Sequence, residues 1–205
     1  MAATAHHHTN RKLVHRAAAG TTEPAGPATV AGAAGETTTT TAATARPAAY
    51  AWAAARIGIG WIFLWAFLDK VFGWGFATPA DRAWINGGSP TTGFLKGTGD
   101  NALGGLFGAL AGHAWVDWLF MTGLLGIGAA LVLGVGMRIA AAAGTLMLVL
   151  MWAAELPLAN NPFLDEHLIY AVVLVGLALA GAGGTLGLGR WWGGTALVRR
   201  LPILR

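Results

Sequence analysis

The side chains best suited by type and spacing to chemistry gather in one stretch, residues 155–170, which reads ELPLANNPFLDEHLIY. Glu155, Asp165, Glu166 and His167 stand there with two prolines, between two strongly apolar runs. Carboxylates and an imidazole at the edge of a low-dielectric region can be tuned toward neutrality by burial and neighbours, which is what proton exchange with a quinone requires. Asp165, His167 and Glu155 are therefore the candidate catalytic residues. Asp69 and Lys70 close the first apolar run, and Asp117 opens the second. Lys70 suits an anion. With Trp118, Trp152 and Tyr170, which offer flat apolar surface and hydrogen-bonding tips, these three make up the candidate substrate-binding set.

What must position them is a membrane domain. The chain is 55% hydrophobic and only 11% charged, with a mean hydropathy of +0.57, far more apolar than an ordinary soluble domain. Cysteine is absent, which excludes disulfides, Cys-ligated zinc, Cys-held iron–sulfur clusters and thiol nucleophiles within this polypeptide. The basic residues sit at the ends of apolar runs, so the formal charge of +4 is a topology signal and no nucleic-acid partner is expected. The expected fold is all-α: a four-helix transmembrane bundle with spans over about 48–72, 114–136, 138–155 and 166–184, each near the roughly 20 residues that cross a bilayer or shorter. A long cap, 73–113, joins helices one and two on the outer side. Residues 1–46 read as a disordered Ala/Thr-rich tail, 47–190 as the membrane domain, and 191–205 as a basic C-terminus that anchors at the inner surface. The histidine triplet 6–8 lies in that tail and is expected to bind a transition metal only weakly.

Arg56 and Arg138 are read as structural and topology markers, Arg56 snorkelling toward the inner boundary. Small residues recur every fourth position at Gly126, Ala130 and Gly134, at Ala140 and Gly144, and at Gly176, Ala180 and Gly184, where helix backbones can approach closely. With four spans, ten of the thirteen Lys and Arg fall on one side and seven of the nine Asp and Glu on the other. Both termini are therefore expected in the cytoplasm, in a multi-pass protein of the cell membrane. Alternating direction then brings the ionisable end of every span to the outer face.

Several stretches resemble a known family. RIGIGWIFLWAFLDK, AWINGGSPTTGFLKG, GMRIA and NNPFLDEHLIYAVVLVGLALAGAGGTLGLGRWW are similar to the DoxX/DoxD family, in particular the membrane subunit of thiosulfate:quinone oxidoreductase. The resemblance covers about residues 50–192. It implies a four-helix membrane bundle, oxidation of thiosulfate to tetrathionate with membrane quinone as electron acceptor, and a small second subunit or soluble redox partner. It matches Arg56, Lys70, Asp165, His167 and Tyr170 without assigning their roles.

The expected function is thus an integral membrane redox subunit passing electrons from a reduced sulfur compound to quinone at an outer site, with no bound prosthetic group. A noncatalytic scaffold that docks soluble redox or sulfur-transfer proteins is the alternative. A haem held by His113 and His167 is a minor option, because both lie near the outer interface. A small transporter is less attractive, since no span is interrupted at mid-bilayer.

Overall fold

In hydrocarbon there is no water for backbone N–H and C=O groups, and a helix satisfies them within its own segment. The computed structural model describes residues 34–204, and every regular element among the described residues is helical. Helix α1 spans Ala34–Phe72. Two short 3-10 turns follow, then α2 (Thr92–Gly97) and α3 (Gly104–Gly108). Next come α4 (Ala114–Leu133), α5 (Met137–Ala154) and α6 (Glu166–Leu179), and the chain closes with the single turns α7 (Gly189–Gly193) and α8 (Ala196–Arg200). Among the described residues, three helices are long and apolar enough to cross a membrane: the Pro47–Phe72 part of α1, α4 and α5. α6 is apolar but has 14 residues, about 21 Å at the helical rise.

Two boundaries differ from the sequence reading. α1 begins at Ala34, so 34–46 is helix where a tail is expected; between Glu36 and Arg46 no Gly or Pro interrupts it. The rest of the expected tail, with His6, His7 and His8, lies outside the described residues. α6 stops at Leu179, where a span to 184 is expected. Gly181 takes a left-handed φ of 62° and Ala182–Gly184 forms a 3-10 turn, because the glycines of AGAGG do not favour helix continuation.

α1 packs along α4, α5 along α6, and α4 along α5, around one core that includes Phe63, Met121, Leu131, Leu148 and Leu174. The pairs are antiparallel. Gly60 of α1 lies against Leu131 and Val132, and Gly128 of α4 lies against Leu64 and the Gly60 carbonyl. Across α5 and α6, Gly144 faces Leu174 and Met137 faces Gly183. α1 and α4 therefore approach closely at Gly60 and Gly128. Gly126, a member of the small-residue stripe, has nothing within 4 Å of where a Cβ would stand. A second small cluster, Leu95, Phe107 and Ala154, joins the 73–113 connection to the end of α5.

Candidate functional site

The antiparallel packing collects the C-terminal ends of α1 and α5 and the N-terminal ends of α4 and α6 at one end of the molecule. Glu155 is the C-cap of α5, and Asp165 is the N-cap of α6. Asp165 Oδ1 accepts the Leu168 N–H at 3.2 Å, satisfying one of the free donors of the first helical turn. Its other oxygen, Oδ2, lies 2.8 Å from His167 Nδ1. One ligand-type atom from each of Glu155, Asp165 and His167 falls within 4.8 Å of the other two. All three predicted catalytic residues are thus neighbours, with the Asp165 and His167 side chains each 12% exposed.

The intervening loop is held in place at several points. Asn161 Oδ1 accepts the N–H groups of Phe163 (3.0 Å) and Leu164 (3.1 Å). Trp152 Nε1–H donates to the Phe163 carbonyl at 3.2 Å, so Trp152 supports the loop. From the 73–113 connection, Asn101 Nδ2 donates to the Ala154 carbonyl at 2.9 Å and the Ala102 N–H to the Leu156 carbonyl at 2.9 Å. The Leu156–Pro157 bond is cis. A cavity of about 440 Å³ opens beside Glu155, walled by Phe94, Thr98, Asn101, Pro157 and Leu158.

Burial acts to raise the Asp165 pKa, but hydrogen bonds from His167 and the Leu168 N–H, with the charge of His167, outweigh it and hold the carboxyl below the ordinary carboxylate value. Asp165 is therefore an anion at neutral pH, able to accept a hydrogen bond from His167 Nδ1. Glu155 adds a second carboxylate without a Lys or Arg in salt-bridge range among the described residues.

The other candidates are engaged elsewhere. Asp69, 2% exposed, accepts the backbone N–H groups of Phe76 (3.3 Å) and Ala77 (3.0 Å), pinning the chain just after α1. Asp117, 7% exposed, accepts on Oδ1 from Ser89 Oγ (2.9 Å), Thr91 Oγ1 (2.6 Å) and Thr91 N–H (3.1 Å), tying the connection to α4. Both carboxylates hold the connection against the helices. Lys70 lines a separate groove of about 570 Å³, with Trp61, Trp65, Asp69 and Phe76. Trp118 is 60% exposed and stands edge-on to Trp84, while Tyr170 packs half-buried against the main core. His113 is the exposed N-cap residue of α4 and does not belong to the Glu155–Asp165–His167 group.

At the opposite end, Arg56 does not snorkel. It is 0% exposed and donates to the carbonyls of Leu131, Val132, Thr185 and Leu186. Arg138 is exposed and donates to the Pro202 carbonyl at 3.1 Å. Sequence reasoning misses Ser89, Thr91 and Asn101 as partners; the SPTT run and the nearby helix start mark a turn, yet nothing local says which carboxylate it meets.

Compared with protein-family models, with curated proteins and with solved structures, the chain matches none.

Proposed function

We propose that this chain is the membrane subunit of a quinone-reducing oxidoreductase, folded as a four-helix transmembrane bundle with both termini cytoplasmic and residues 73–113 as its outer cap. The observation that carries the proposal is the joint placement of Asp165 and His167, 2.8 Å apart, with Glu155 beside them and a cavity adjoining. Reducing a quinone to a quinol takes two electrons and two protons. Glu155, in the cavity wall, hands protons to a headgroup there, and His167, its ring held by Asp165, relays them to Glu155 from solvent.

The electrons come from a reduced sulfur compound. The likeness of the quoted stretches to the DoxX/DoxD membrane subunit points to thiosulfate, two molecules of which release two electrons as they join to tetrathionate. Without cysteine this chain cannot hold the sulfur covalently as a Cys adduct, so a covalent step belongs to a small second subunit and any step on this chain is noncovalent. Phe94 and Leu158 offer the ring an apolar slot, and Thr98, Asn101 and Glu155 are polar residues in its wall.

The test is thiosulfate-dependent reduction of a quinone analogue by the chain purified with its partner subunit in lipid vesicles. Asp165→Asn and His167→Gln should each lower the rate by about 10²-fold or more, the usual contribution of a positioned proton donor. Turnover unchanged in both variants removes the group from the mechanism. Absence of any wild-type turnover, with a soluble redox protein retained on the vesicles, favours the noncatalytic scaffold.

A further inference from the structure

We infer that Glu155, Asp165 and His167 bind a divalent transition-metal ion, with zinc as the reference case, and that the ion competes for the protons this group exchanges. Binding stands on the geometry alone; its consequence for turnover rests on the quinone-reduction proposal. The presence of His167 separates this group from a patch of surface acids. One imidazole nitrogen with two carboxylate oxygens is a donor set that zinc and its neighbours accept, whereas magnesium and calcium favour oxygen alone.

The closest pair already has a chelating bite. Zinc bonds of about 2.0–2.2 Å place adjacent ligand atoms roughly 3.0–3.5 Å apart, and His167 Nδ1 and Asp165 Oδ2 stand at 2.8 Å. An ion that replaces their shared proton needs only a slight opening of the pair. Glu155 completes the set from the end of α5, its ligand atom within 4.8 Å of both others. The Asp165–His167 pair is held in place, and Glu155 closes on it by a side-chain rotation: Leu168 N–H fixes Asp165, while Asn161 and Trp152 fix the loop that joins the two helices. Three protein ligands leave coordination positions for water, and the cavity beside Glu155 gives access to them.

Metal ligands must be deprotonated, so metal and protons exclude one another at such a group. A bound ion occupies the atoms that pass protons to the quinone and thereby arrests turnover.

The experiment is isothermal titration of the full-length chain in detergent with Zn²⁺, using protein in which His6, His7 and His8 are replaced by Gln so that the triplet adds no background. One zinc per chain with micromolar affinity is expected. His167→Ala, Asp165→Asn and Glu155→Gln should each weaken it about tenfold or more, as loss of a ligand or of its orienting partner does, while Asp100→Asn on the exposed connection leaves it unchanged. Circular dichroism melts check folding. Glu155→Gln, at a partly exposed helix end, carries the comparison if His167→Ala does not fold. Affinity in Glu155→Gln and His167→Ala equal to that of the parent chain, or no binding at millimolar zinc, overturns the site. The vesicle assay separates the two proposals. Turnover inhibited by zinc at the titrated affinity supports both. Turnover in a chain that binds no zinc overturns the metal site alone, and stoichiometric zinc binding without turnover overturns the quinone proposal alone.

Discussion

Replacing Arg56 by Met should destabilise this protein more than any other single change at a charged residue. The guanidinium is fully buried. Nη1 donates to the Leu131 and Val132 carbonyls, the latter at 2.9 Å, and Nη2 to those of Thr185 (3.2 Å) and Leu186 (2.8 Å). Two of these belong to the last turn of α4, where helical partners run out and the Leu131 carbonyl otherwise has only the Gly134 N–H at 3.2 Å, and two to the chain that follows α6. A hydrogen bond to a charged group contributes about 1.5–3 kcal/mol, so the four together amount to roughly 6–12 kcal/mol. Against this, several kcal/mol of desolvation cost disappear with the guanidinium, leaving a net loss of about 3–5 kcal/mol. Arg56→Lys should lose roughly half as much, since an ammonium has three donors and lacks the planar fork. Equilibrium unfolding in mixed micelles measures the loss. Hydrogen exchange at the Leu188 N–H, which donates to the Leu133 carbonyl at 2.8 Å, reports whether the junction itself opens. Arg56→Met within about 1 kcal/mol of wild type, with Leu188 exchange unchanged, refutes the reasoning, because water would then be satisfying these carbonyls.

Asp117→Ala removes the acceptor of three hydrogen bonds from Ser89 and Thr91; a loss of about 2–3 kcal/mol is expected, with faster proteolysis between 86 and 92. Gly128→Ala places a methyl 2.9 Å from the Leu64 backbone nitrogen and 3.0 Å from the Gly60 carbonyl, forcing α1 and α4 apart at about 1–3 kcal/mol. Gly126→Ala meets nothing and should be neutral or stabilise by up to about 1 kcal/mol through helix propensity, so unfolding of the two variants side by side checks the packing. Because the Asp165 pKa in the folded protein lies below its ordinary 3.8, its stabilising contribution is complete above that value and is lost as pH falls through the folded pKa. Acid titration should therefore loosen the N-terminus of α6 below about pH 4 in the wild type, and Asp165→Asn, which keeps the cap but cannot titrate, should flatten that dependence when followed by exchange at the Leu168 N–H.

The neighbourhood of Glu155, Asp165 and His167 is legible in the amino-acid sequence. A stretch of only nine residues, 156–164, separates Glu155 from Asp165, so once two apolar runs are read as antiparallel helices the ends of that stretch must lie together. Asp165 is legible as a cap for a similar reason, since its partner N–H is three residues away. Arg56 is not. A cation inside an apolar run is ordinarily explained by its reaching the interface, and the carbonyls it serves are 75 to 130 residues distant. Likewise Asp69 and Asp117 look like members of an ionisable rim, yet their oxygens are taken up by the connection between α1 and α4.

What the amino-acid order determined by itself was local: where apolar runs are long enough for helices, where glycines and prolines end them, and which helix ends carry carboxylates. The rotational setting of each helix was left to packing, and it decided that Gly128 meets α1 while Gly126 meets nothing. Tertiary structure also divided the carboxylates between those that pin the 73–113 connection, Asp69 and Asp117, and those that meet at the turn between α5 and α6, Glu155 and Asp165. The reason is that a buried donor or acceptor is committed by whichever complementary backbone group arrives beside it, and that arrival depends on contacts remote in sequence.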